Sequence, residues 1–139
     1  MILHGGLVAR LVRGRWLGVL ITGPSGSGKS DLALRMLDHG FVLVSDDRTV
    51  LWASGGKLFG QAPEPLAGLM EVRGLDIARL PHRRFAQAAL VAECGAAGIE
   101  RLPEPASVPL LGCPIPLVRL AATEASAPAK LRHALLALG

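Results

Sequence analysis

Four groups of residues have the types and spacing to do chemistry. Gly23-Pro24-Ser25-Gly26-Ser27-Gly28-Lys29-Ser30 fits the pattern G-x-x-x-x-G-K-[S/T]. Its three glycines let backbone N–H groups turn inward around an anion with no Cβ in the way. A helix starting near Lys29 points its positive dipole end at the same spot. Lys29 supplies a charge for outer phosphates, and the Ser30 hydroxyl is placed to ligate Mg²⁺. The second group is Asp46-Asp47. Adjacent carboxylates beside a phosphate loop can divide the work of holding a metal and deprotonating an acceptor hydroxyl, and in an extended backbone they would point to different sides. As a plain structural feature the pair would be a helix cap or a turn. Glu71 and Arg73 lie two apart, so an extended segment puts both on one face, the carboxylate able to share a metal with Ser30 and the guanidinium to stabilise transferred charge. The same pair serves equally as a surface ion pair. The fourth group is His4, a lone histidine that by residue type alone reads as structural or solvent-exposed.

The elements that must position these groups can be read from periodicity. Gly5–Leu11 and Leu17–Thr22 read as strands joined at Arg13-Gly14, and Lys29–Asp38 as a buried helix ended at His39-Gly40. Phe41–Ser45, FVLVS, is a short apolar run suited to a strand buried on both faces. Strand, loop, helix and strand make a βαβ unit of about thirty residues, with Asp46-Asp47 at the carboxyl end of its second strand, where open α/β sheets bind ligands. Thr49–Trp52 and Lys57–Phe59 form a hairpin, residues 61–69 a loop, Met70–Gly74 and Leu75–Leu80 an alternating pair broken at Gly74, and Ala88–Glu93 a strand. Leu102–Val108 is Pro-rich and irregular, Cys113–Leu120 an edge strand because of its two prolines, and Ala127–Leu138 a helix.

Composition bounds the rest. At 139 residues, half of them hydrophobic, the chain is expected to be one globular domain over 1–139. The net charge of +4 suits anionic ligands, but the arginines are scattered and there is no Tyr, so nucleic-acid binding is not expected. Cys94 and Cys113 show no metal-ligand spacing and are expected to be reduced, which places the protein in the cytoplasm. Arg10, Arg13 and Arg15 interrupt the apolar N-terminus, so no membrane span is expected.

Three stretches in order, HGGLVA at 4–9, GVLITGPSGSGKSDLALRMLDHGFVLVSDDRTVL at 18–51 and GLMEVRGLDIARL at 68–80, resemble the catalytic domain of HPr kinase/phosphorylase. The glycine loop is common to many families; VSDD at that distance from it, followed by EVRG, is far more specific. The resemblance implies an α/β fold with a P-loop core and a mixed β-sheet flanked by helices, similar to that of phosphoenolpyruvate carboxykinase. It implies an ATP-dependent, Mg²⁺-requiring serine kinase acting on HPr, the phosphocarrier of the phosphotransferase system, with the reverse phosphorolysis as the family's second activity. A hexamer is the family's usual assembly. Position by position, Gly23, Pro24, Ser25, Gly26, Ser27, Gly28, Lys29 and Ser30 correspond to the nucleotide loop, Lys29 to its phosphate-binding lysine, Ser30 and Glu71 to the Mg²⁺ ligands, and Asp47 to the acceptor of the serine proton, with Asp46 beside it. Met70–Arg79 corresponds to the segment used in both directions, Arg73 within it. His4 corresponds to the histidine beside the site, against its reading by type alone, and Arg101 to an arginine in a similar Arg-Leu context.

The chain departs from the family pattern in several places, mildly at Ser27 and Asp31 and more markedly elsewhere. The resemblance begins at His4, with no regulatory domain before it. CPIPLVRLAA stands where the motif PGRN, tied to the reverse reaction and to HPr contact, is expected, and Asp76 stands at a usual glycine. The kinase direction therefore carries over more fully than the reverse. The short form is similar to those of α-proteobacteria, with a sensor kinase as the implied regulatory partner. A nucleotide-binding regulatory protein with little catalysis and a small-metabolite kinase are the alternatives; the second would usually show an arginine-rich lid, which is not seen here.

Overall fold

The structure, a computed structural model, describes residues 1–95, 99 and 103–138. Among the described residues lie eleven strands and two α-helices. In chain order these are β1 (Ile2–His4), β2 (Gly6–Val12), β3 (Arg15–Thr22), α1 (Lys29–Met36), β4 (Val42–Ser45), β5 (Arg48–Ser54), β6 (Lys57–Gln61), β7 (Leu69–Val72), β8 (Asp76–Arg79), β9 (Ala86–Cys94), β10 (Ala106–Leu110), β11 (Cys113–Leu120) and α2 (Ala127–Leu138).

Local sequence sets the hairpins. The two residues Arg13 and Gly14 join β2 to β3, both at positive φ (48° and 79°), the turn that matches strand twist. Long-range pairing then closes the sheet. Its order is β1-β5-β6-β9-β3-β2-β4, with β11 attached to β9 and β10 to β11. Only Gly5 separates β1 from β2, and only Asp46-Asp47 separates β4 from β5. Because β1 lies on β5 and β2 on β4, the two ends of the sheet meet and the sheet curls round on itself. Strand β9 is its axis: β3 runs parallel to it along one edge, while β6 at Ala86-Gln87 and β11 from Val91 to Cys94 share the other. The fold is thus mixed α/β with a curled sheet.

Successive side chains of a strand go to opposite faces, and here both faces are buried. Leu7, Ala9, Leu20, Val44, Leu51, Leu58 and Val91 fill the inside of the curl. Their neighbours Val8, Val19, Ile21, Leu43, Leu90 and Ala92 face outward and pack under Leu32, Ala33 and Met36 of α1 and Leu131 and Leu135 of α2. This double burial is why the strands read as continuous apolar runs. Space inside is tight: a Cβ on Gly18 or Gly60 would lie 2.7 or 2.8 Å from a Leu7 methyl.

Tertiary pairing overrides the sequence expectation in several places. The strand expected at Gly5–Leu11 is β2, and a further strand, β1, precedes it because the chain pairs with β5 before Gly5 and with β4 after it. Helix α1 ends at Met36 and tightens into a 3₁₀ turn, Leu37–His39, before Gly40 at φ 83°. Strand β4 is parallel to β3, as a βαβ unit requires, but β2 lies between them. Ala106–Leu110 is a strand, since β11 offers it a full ladder despite Pro109. β11 is an edge strand only over its first half: Pro114 and Pro116 precede the β9 ladder, which starts at Leu117. Met70–Gly74 and Leu75–Leu80 become the separate hairpin β7–β8, anchored by Met70 in the outer core.

Candidate active site

Strand β3 delivers the chain into the loop Gly23–Gly28 at the carboxyl edge of the parallel strands β3 and β9. Gly23 has φ 143°, and a Cβ there would lie 2.6 Å from the Cys94 carbonyl oxygen, so a side chain would drive the loop off the end of β9. Ser27 N–H donates to the Pro24 carbonyl (3.1 Å), and helix α1 begins from Gly28. The first N–H groups of α1 have no partner within the helix and mark a site of positive potential. Lys29 Nζ bends back over the loop, donating to the carbonyls of Gly23 (2.7 Å) and Pro24 (3.1 Å). Behind the loop, burial pushes the Cys94 thiol pKa up while the charges of Lys29 and Arg35 pull it down. Arg35 donates to the carbonyls of Ala122 and Glu124, tying α1 to the segment before α2.

The two aspartates occupy the break between β4 and β5, and the backbone there is not extended. Asp47 sits at φ 66°, with Arg48 N–H donating to the Asp46 carbonyl at 2.7 Å. That is a γ-turn centred on Asp47, of the strained positive-φ kind. It separates the two carboxylates. Asp46, half-buried, accepts from the Ser30 hydroxyl at 3.0 Å through Oδ1 and from the Glu71 backbone N–H at 3.4 Å through Oδ2. Burial pushes its pKa up; the two hydrogen bonds oppose this, and the negative charges of Asp47 and Glu71 add to it. Asp47 is exposed.

Between them opens a cleft of about 400 Å³, lined from the loop and α1 by Ser25, Gly26, Gly28, Lys29, Ser30, Asp31 and Leu34, from the acidic turn by Asp47, and from the β7 end by Glu71, Val72 and Arg73. Asp46 is not in the lining but joins Ser30 to Glu71. Gly23, Pro24 and Ser27 shape the loop without lining the cleft. His4 is exposed on β1, in register with Arg48, and is outside the lining. Arg101 lies outside the described residues. A second cavity, of about 510 Å³, involves Leu117, Val118 and Arg119, and none of the residues Gly23–Ser30 lines it. The donor set suits Mg²⁺, which takes one or two carboxylates together with substrate phosphates rather than an all-protein cage. Among the described residues no group of three or more His, Cys, Asp and Glu side chains could hold a metal alone. Two residues that sequence reasoning passed over flank the acidic turn: Ser45 and Thr49, both buried and hydrogen-bonded to each other. Their signal was two hydroxyls placed two residues either side of the turn's centre.

Comparison with known proteins bears on this arrangement directly. The family described as HPr Serine kinase C-terminal domain matches residues 1–89, nearly two thirds of the chain, including the loop, the acidic turn and β7–β8. The chain belongs to this family. HPr kinase/phosphorylase of Clostridium tetani is 47% identical over 79 residues, covering 57% of this chain and 25% of that protein. The protein of the same name from Mycoplasmopsis pulmonis is 47% identical over 74 residues, covering 53% and 23%. The chain thus matches about a quarter of the length of these curated relatives. The structure of the Hpr(Ser) kinase/phosphatase from Coxiella burnetii superimposes with a TM-score of 0.80 at 22% identity, over 100% of this chain and 99% of that one, a likeness of fold. No helix of the described residues is long and apolar enough to cross a membrane.

Proposed function

We propose that this chain is a single-domain, ATP-dependent protein-serine kinase whose acceptor is an HPr-type phosphocarrier. One observation carries the reading: the Ser30–Asp46 hydrogen bond fastens the glycine loop to the acidic turn, so Lys29 and Asp47 face one cleft. Family membership supports it, and the names of the relatives supply the acceptor. In this reading the loop Gly23–Ser30 is a P-loop in a core like that of phosphoenolpyruvate carboxykinase, and its N–H groups with Lys29 bind the ATP phosphates. Lys29 leaves the Gly23 and Pro24 carbonyls to do so. The Asp47 carboxylate takes the proton of the acceptor serine, whose oxygen attacks the γ-phosphorus as ADP leaves. Arg73 stabilises the transferred charge, Arg101 is a further catalytic candidate through its Arg-Leu context, and His4 stands beside the turn. Ser30 and Glu71 would hold a Mg²⁺ ion, with Asp46 beside Ser30, and the ion would supply positive charge to offset that of the phosphates. The reverse phosphorolysis, a hexameric assembly, a sensor-kinase partner and a cytoplasmic location complete the proposal.

Incubation with γ-labelled ATP, Mg²⁺ and an HPr-type protein tests it. Labelled phosphoserine on that protein is the expected result. ATP binding without transfer would favour a nucleotide-binding regulator, and label on a small molecule would favour a metabolite kinase.

A further inference from the structure

We infer that Thr49, backed by Ser45 and acting through Gly5, is a positioning residue that holds Asp47 in its reactive geometry. The inference rests on the reading of Asp47 as the group that takes the serine proton. Among the described residues, Ser45 and Thr49 are the two buried polar ones, at 1% and 0% exposure. Hydroxyls inside an apolar sheet are unfavourable unless hydrogen-bonded. These two are bonded in one direction. Thr49 Oγ1 donates its single proton to the Gly5 carbonyl at 2.8 Å, so in the 2.5 Å contact between the hydroxyls Ser45 is the donor. The Gly5 N–H in turn donates to the Asp47 carbonyl at 2.8 Å. Gly5 is therefore gripped on both sides by the turn it supports. No side chain fits at this position, because a Cβ there would lie 2.3 Å from the Ile21 carbonyl oxygen of β3.

The clasp has a strained object to hold. A non-glycine residue at φ 66° in a γ-turn persists only where its surroundings over-determine it. Asp47 takes no hydroxyl directly. Its backbone is fixed by Gly5, and Gly5 by Thr49. Loss of the Thr49 hydroxyl leaves the Gly5 carbonyl without its donor and lets the turn relax, which moves the Asp47 carboxylate relative to the loop. His4, the residue before Gly5, moves with it. Thr49 touches neither nucleotide nor acceptor, and it reaches the glycine loop only at one remove, through the Asp46 end of the turn. The effect therefore falls on kcat and not on nucleotide binding.

The test compares Thr49→Val, Thr49→Ser, Ser45→Ala and Asp47→Asn in the labelled-phosphate transfer assay to an HPr-type protein, with the KM for ATP measured in parallel. Thr49→Val is expected to lower kcat about 30- to 100-fold, the scale of a misplaced catalytic group, with KM for ATP within about twofold. Thr49→Ser, which keeps the donor, is expected to restore most of kcat. Ser45→Ala keeps the Thr49–Gly5 bond and is expected to lower kcat about fivefold, which tests the clasp even if Thr49→Val does not fold. Wild-type kcat in Thr49→Val or Ser45→Ala overturns the inference, as does an equal loss in Thr49→Ser. Asp47→Asn keeps the two failures apart. If it is inactive, those results count against the clasp alone; if it retains full transfer, the reading of Asp47 fails and the inference with it.

Discussion

The Ser30 hydroxyl and the Asp46 carboxylate meet at 3.0 Å, joining the first turn of α1 to the turn between β4 and β5. The carboxylate is held there against its own desolvation, with its pKa raised above the ordinary 3.8. The folded protein therefore holds this proton more tightly than the unfolded chain does. Stability from this group is full below the ordinary value and is lost as pH rises through the folded one. Asp46→Asn keeps an acceptor for Ser30, gives up only the long 3.4 Å bond from the Glu71 N–H, and removes the buried charge. Thermal unfolding at pH 7 should show the variant more stable by about 2–4 °C, with the gap closing below pH 4. A variant less stable than wild type at pH 7 would refute the account.

Arg35 and Asp31 form an ion pair along α1, yet their contributions should differ widely. Asp31 is exposed, and an i,i+4 surface pair is worth about 0.3–0.5 kcal/mol. Arg35 also donates to the backbone carbonyls of Ala122 and Glu124, groups that α2 packing partly shields from water. Arg35→Met should cost about 1.5–3 kcal/mol in urea unfolding, and Asp31→Ala less than about 0.5 kcal/mol. Equal costs would show that the backbone bonds contribute nothing beyond the pair.

The site was more legible in sequence than the fold around it. The glycine loop declared itself through its own backbone requirements, and the apolar run at Leu17–Thr22 and helical periodicity after Lys29 fixed its flanks within two residues. Chain closure left no local trace. Nothing in Leu3-His4-Gly5-Gly6 says that β1 will pair with β5 and β2 with β4, because that choice belongs to the ladders each half finds across the sheet. The stretch 102–108 looked irregular because of its prolines, yet Ala106–Leu110 is a strand because β11 was there to pair with it. Ser45 and Thr49 read as the ends of two strands. Their hydroxyls acquired a role only when folding removed water and left each other and Gly5 as partners.

Lys29 illustrates how a site can be occupied by its own atoms. Its ammonium group satisfies two loop carbonyls, at 2.7 and 3.1 Å, in the position from which it would reach outer phosphates. Lys29→Met should lower ATP affinity about 10- to 100-fold, the worth of one charge-assisted hydrogen bond in a partly shielded site. Unfolding stability should change by less than about 1 kcal/mol, since the loop carbonyls regain water. Calorimetric titration showing unchanged affinity would remove Lys29 from the nucleotide site.

Asp47 carries both the proposed chemistry and the backbone strain, and substitution separates the two. Asparagine tolerates positive φ, glycine prefers it and alanine does not. All three remove the carboxylate proposed to take the serine proton, so Asp47→Asn, Asp47→Gly and Asp47→Ala should each abolish phosphoryl transfer while ATP still binds. Their stabilities should diverge. Glycine relieves the turn but loses more chain entropy on folding; alanine gains in entropy but retains the strain. With φ at 66° the strain dominates, and Asp47→Gly should exceed Asp47→Ala by about 1 kcal/mol in chemical unfolding. If alanine proves the more stable, the turn is not strained at Asp47, and the clasp formed by Gly5 and Thr49 has no strain to hold.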